Sequence, residues 1–162
     1  MKALEHAPSS VLIIIDMQEH FVTECSEKIY RALVREIWLA KAQKQPIMEV
    51  LFDGYGTTVH RIRRHLENYE HLIAGITKRR MDKSSEIVEA LNKHRLTPKL
   101  IKVGGVSVRS CINSTVCGLS EHLTSLASDC CIEVIQDGCG PYQDWRDFFA
   151  APNIRLVPGG LI

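Results

Sequence analysis

Short aliphatic runs alternate along the chain with longer stretches in which apolar residues recur at helical spacing. The runs are Val11 to Ile15, Ile47 to Phe52, Leu72 to Thr77, Leu100 to Val103, Ile132 to Ile135 and Ile154 to Val157. Each is largely apolar at consecutive positions, the pattern of a strand buried on both faces of a parallel sheet rather than half-exposed in an antiparallel one. Between them Ile29, Leu33, Ile37 and Ala40 step by three and four residues, as do Val59, Ile62, Leu66 and Tyr69, and each set makes one helix face. Ser84 or Ser85 is placed to cap a helix containing Ile87 and Leu91. Ile112, Val116, Leu119, Leu123 and Leu126 form a further stripe, and a short helix is expected around Trp145 to Ala150. Alternating strands and helices without a linker predict one α/β domain over residues 1–162. It is a three-layer αβα, Rossmann-like arrangement with a six-stranded, mostly parallel sheet and helices on both faces. In such sheets ligands collect beyond the carboxyl ends of the strands, where the strand order reverses.

Composition narrows the functional classes. Of 162 residues 45% are apolar and 24% charged, the profile of an ordinary globular protein, and 20 Lys and Arg balance 19 Asp and Glu. A formal charge of +1 supplies no electrostatic footprint for nucleic acid or anionic lipid, so neither is an expected partner. The longest aliphatic run, broken by Asp16, falls far short of the roughly 20 residues that span a bilayer, and no secretory leader is visible, so the expected location is cytoplasmic. There the six cysteines are read as thiols. No Cys-x-x-Cys pair occurs and the histidines are scattered, so neither a metal nor another cofactor is expected.

Candidate chemistry gathers where strands end. The first strand runs into Asp16, a position that suits a loop or cap residue as well as a functional carboxylate. The third runs into Thr77, Lys78, Arg79 and Arg80, a basic cluster that also reads as a solvated loop. The fourth leads through Gly104-Gly105-Val106-Ser107-Val108-Arg109-Ser110 to Cys111, just before a helical stripe. A cysteine at a helix N-terminus feels the positive end of the dipole, which favours thiolate, and amides near Ser107 and Cys111 are placed for a developing oxyanion. A cation at Lys78 would stabilise the thiolate, and Asp16 would accept and return a proton. The other reading of Cys111 is a small buried hydrophobe.

These segments resemble the isochorismatase-like cysteine hydrolase family. Ile13-Ile14-Ile15-Asp16-Met17-Gln18 with Phe21 is similar to its opening Asp-x-Gln motif, Ile76-Thr77-Lys78-Arg79-Arg80 to its lysine segment, and Gly105-Val106-Ser107-Val108-Arg109-Ser110-Cys111-Ile112 to its nucleophile loop. Val134-Ile135-Gln136-Asp137-Gly138 is similar to a later strand segment. The resemblance implies Cys111 as nucleophile, Asp16 as general acid and base, and Lys78 as third member of a triad. It also implies a cis peptide at Val106-Ser107, with the Ser107 and Cys111 amides as oxyanion hole, and a homodimer or larger oligomer. Departures are visible: Asp53-Gly54-Tyr55 replaces an Asp-x-His metal pair, leaving His60 nearby, and Met81-Asp82-Lys83-Ser84 follows the lysine segment where Ser-Ala-Phe is frequent.

The expected activity is therefore metal-independent hydrolysis of a small amide or related C–N bond through a Cys111 acyl-enzyme. A fold-retaining binding or scaffold protein is the competing class, and a redox-sensing thiol protein a third. Glu49, inside an apolar run, needs a partner near Lys78, at the substrate or in a structural pair, unless it lies at an edge position. Glu49, Tyr55 and Val106 are the candidate substrate contacts.

Overall fold

In the computed structural model, which describes residues 9–23, 25–140 and 151–158, except the Lys78 side chain, six strands pair in parallel. The elements are β1 (Ser10–Ile15), α1 (Glu27–Ala42), β2 (Ile47–Phe52), α2 (His60–Leu66), β3 (Leu72–Lys78), α3 (Ser84–Lys93), β4 (Leu100–Val106), a π-helical turn (Val108–Ile112), α4 (Asn113–Ser125), β5 (Cys131–Gly140) and β6 (Ile154–Val157). The sheet order is β3-β2-β1-β4-β5-β6, so the chain reverses direction across the sheet between β1 and β4. The helix expected around Trp145 to Ala150 lies outside the described residues.

Successive residues of β1 divide between the two faces, which is why the run carries no polar alternation. Val11, Ile13 and Ile15 pack with Ile87 and Leu91 of α3 and Val116 and Leu119 of α4. Leu12 and Ile14 pack with Ile29, Leu33 and Ile37 of α1 and Ile62 and Leu66 of α2. A parallel strand covered by helices on both sides must be apolar at every position. No helix among the described residues is long and apolar enough to cross a membrane.

Three local expectations are corrected. The helix begun by Val59 and Ile62 ends at Leu66, and Tyr69 lies beyond it, its hydroxyl donating to the Gln45 carbonyl at 2.6 Å. Neither Ser84 nor Ser85 caps α3. Its cap position is Lys83, and the Asp82 carboxylate accepts from the Ser84 N–H at 2.8 Å. Strands β4 and β5 run well past Val103 and Ile135, because Gly105 lets two chains approach. A Cβ there would lie 2.0 Å from the Ile15 carbonyl oxygen, at φ +132°.

Candidate active site

Asp16 is the first residue beyond β1 and sits at φ +52°, so the chain turns sharply and its side chain leaves the strand's alternation. Its N–H donates to the Val50 carbonyl at 2.9 Å, fixing that turn against β2. Gln18 then enters the interior completely. Its Nε2 donates to the carbonyls of Phe52 (3.0 Å) and Gly56 (2.9 Å), and its Oε1 accepts from the Phe52 N–H at 2.8 Å. The Asp-x-Gln segment is thus a carboxylate at the switch point and an amide that secures the end of β2.

Among the described side chains, the ammonium on Asp16 is that of Lys83. Its Nζ lies 2.9 Å from Asp16 Oδ2, and both side chains are sealed from solvent, at 0% and 1% exposure. The same ammonium donates to the Arg80 carbonyl at 3.4 Å and stands 4.7 Å from the centre of the Phe52 ring. Thr115 of α4 anchors the segment by accepting from the Lys83 N–H at 3.1 Å while donating to the Met81 carbonyl at 3.2 Å. Lys78, the lysine singled out in the sequence, closes β3 opposite Phe52 in the register, and its side chain lies outside the described residues. Sequence reasoning missed Lys83 because it followed a cation at a strand end. The available signal was the placement of Lys83 directly before a predicted helix start.

Cys111 lies in the π-helical turn after β4, where the Ile112 N–H donates to the Ser107 carbonyl at 3.0 Å. The peptide between Val106 and Ser107 is cis. Cys111 is buried, 8% exposed, and its thiol meets the Asp16 carboxylate. Burial, and then Asp16, push its pKa up to about 11, while Lys83 acts in the opposite direction. Against the expectation of a resting thiolate, burial first and the neighbouring carboxylate second favour the protonated sulfur. Burial likewise raises Asp16 above the ordinary carboxylate value, opposed by Cys111 and Lys83. Asp16 Oδ1 is buried with no aligned hydrogen-bond donor among the described residues. A thiol, an available carboxylate oxygen and a cation holding the other oxygen make a general-base arrangement.

The other sequence candidates separate. Ser107 is half-buried at the cap of the turn. Tyr55, 43% exposed, stacks with His20 at 4.8 Å, Phe21 at 4.9 Å and Phe52 at 5.6 Å, which puts it in an aromatic cluster adjoining Lys83. Glu49 is half-buried in mid-β2, in register with Ile14. It therefore faces the α1/α2 side of the sheet, whereas Cys111 packs on the other. Val106 is wholly buried in the α1/α2 cluster, with no surface to offer a ligand. Both therefore lie away from the Cys111 face of the sheet, because strand alternation decides the face. The Asp53 carboxylate is engaged by Arg79 at 2.9 Å.

Strand order, the reversal between β1 and β4, and a carboxylate and a thiol beyond the ends of those two strands define a doubly wound α/β protein with Asp16 and Cys111 at its switch point. Comparison with solved structures identifies the fold as isochorismatase-like. An isochorismatase from Pseudomonas putida superposes with a TM-score of 0.70 at 16% identity, covering 96% of this chain and 92% of that one. The N-carbamoylsarcosine amidase of Thermoplasma acidophilum gives 0.71 at 13% identity, covering 95% and 98%. A nicotinamidase from Staphylococcus aureus gives 0.64 at 15% identity, covering 83% and 86%. No family model and no curated protein matches the sequence.

Proposed function

We propose that this chain is an isochorismatase-like cysteine hydrolase that cleaves a small amide or related C–N bond through a Cys111 acyl-enzyme. The observation that carries the reading is the buried Asp16–Lys83 ion pair against the Cys111 thiol. Structural neighbours that include an amidase and a nicotinamidase support the reaction class. In this scheme Lys83, rather than Lys78, is the cation of the triad.

The chemistry follows from the protonation states. Cys111 Sγ forms a bond to the substrate carbonyl carbon as its proton passes to the Asp16 carboxylate, so charge never builds on a sulfur that burial disfavours. The carbonyl π electrons move to oxygen, and the N–H groups of Ser107 and Cys111 receive the oxyanion. Collapse breaks the C–N bond, and Asp16 returns the proton to the leaving nitrogen. Water, deprotonated by the same carboxylate, then hydrolyses the thioester and restores the thiol. Lys83 holds Asp16 Oδ2 through these exchanges. A homo-oligomer is part of the proposal and is checked by light scattering. Intact-mass spectrometry during exposure to a panel of small amides tests the central claim. An acyl adduct absent from Cys111→Ala supports it, and adducts on other cysteines, or none with any amide, refute it.

A further inference from the structure

A lysine ammonium has three N–H donors, and burial places protein groups around them. Lys83 is wholly buried, and its described partners are Asp16 Oδ2 at 2.9 Å, the Arg80 carbonyl at 3.4 Å and the face of Phe52, 4.7 Å to the ring centre. The first two are oxygens, and the ring is the third neighbour of the charge. An aromatic face carries negative quadrupole density that attracts a desolvated cation more strongly than a hydrated one.

Phe52 is held for this task by unusual means. Both its N–H and its carbonyl bond to the Gln18 side chain, at 2.8 and 3.0 Å, so a buried amide stands in for a neighbouring strand just where β2 ends. Gln18 Nε2 also reaches the Gly56 carbonyl, tying down the loop that carries Tyr55. The ring is flanked by Phe21 at 5.9 Å and Tyr55 at 5.6 Å, which limit its movement. We infer that Phe52, secured by Gln18, is a positioning residue that fixes the Lys83 ammonium on Asp16 and thereby sets the ionisation of Cys111. This rests on the assignment of Lys83 and Cys111 to the active site, and it adds a residue that carries no ionisable group.

Among the described side chains, the titratable groups facing the carboxylate are Lys83 and Cys111, and His20 and Tyr55 stand around the aromatic cluster. Because Lys83 acts to lower the thiol's pKa, a loosened ammonium raises it. The test is the pH profile of Cys111 alkylation by iodoacetamide, read by peptide mass spectrometry, which needs no knowledge of the substrate. Phe52→Leu is expected to slow alkylation at pH 8 about threefold and to move the midpoint upward, as loss of one cation–π contact implies. Phe52→Tyr, which keeps the ring, is expected to follow the parent. Replacing Phe52 with 3,4,5-trifluorophenylalanine keeps shape while weakening the ring's negative face, so it reports even where the leucine variant folds poorly. Packing alone predicts no change there, and opening the pocket predicts faster alkylation. An unchanged or faster profile for the fluorinated ring overturns the inference while Lys83→Met still shifts it. If Lys83→Met also leaves the profile in place, the assignment of Lys83 falls, and this inference with it.

Discussion

Replacing Lys83 with Met leaves the Asp16 carboxylate inside the protein without its cation. Both side chains are essentially inaccessible, so solvent cannot take over the lost contact. Breaking a buried pair from one side costs about 3–5 kcal/mol, because the remaining charge is uncompensated. For a chain of 162 residues, with an unfolding entropy scaled per residue, that corresponds to a melting temperature lowered by about 9–15 °C at neutral pH. The deficit has a defined pH dependence. Lys83 pulls the Asp16 pKa down against burial, so its removal raises the folded-state carboxyl further above its unfolded value of 3.8. The native variant then binds more protons than the unfolded chain, and its stability falls as pH rises from about 4 through the folded pKa. Below pH 4 the penalty is smallest. Adding Asp16→Asn removes the stranded charge and is expected to recover much of the loss. Thermal melts at pH 4 and pH 7, made in parallel on Lys83→Met and Lys78→Met, give the answer, together with acyl-enzyme formation. Only the Lys83 variant should lose stability and chemistry together. A Lys83→Met protein that melts like the parent at pH 7, or a Lys78→Met protein that loses acylation while Lys83→Met keeps it, refutes the reasoning.

Other outcomes follow from the same geometry. Asp16→Asn removes the charge that, after burial, most favours protonated Cys111, so iodoacetamide labels Cys111 faster at pH 8 while amide turnover disappears, and slower labelling would contradict the general-base role. Stability should fall as pH rises from 9 towards 11, because the unfolded thiol ionises while buried Cys111 stays protonated until about 11. Denaturant titrations should show Cys111→Ala removing about 3 kcal/mol of that alkaline loss. Gly105→Ala forces a Cβ to within 2.0 Å of the Ile15 carbonyl oxygen in a left-handed backbone, so chemical denaturation should show a loss of about 3 kcal/mol or more.

Much of the fold was legible because its signals are local. The runs Ile47 to Phe52 and Ile154 to Val157 coincide with β2 and β6, since an apolar segment flanked by polar residues has few other ways to be buried. The Ile29, Leu33, Ile37 and Ala40 stripe lies buried along α1 for the same reason. The extensions of β4 and β5 were hidden, because Gly105 and Gly140 carry no strand signal and pair only once Ile15 and Val106 are beside them. Asp16 and Cys111 could be named from the sequence since each ends a recognisable strand or begins a helix. Lys83 could not be chosen over Lys78, because both belong to one basic stretch.

What the chain determines alone is the sequence of strands and helices, and the delivery of a carboxylate and a thiol to the ends of β1 and β4. The pairing of Lys83 with that carboxylate, the face that Glu49 and Val106 occupy, and the burial that favours thiol over thiolate emerge only in the tertiary structure. Periodicity reports how a segment buries itself. Burial, approach distance and the field of a neighbouring charge depend on residues far away in sequence, and those quantities decide ionisation.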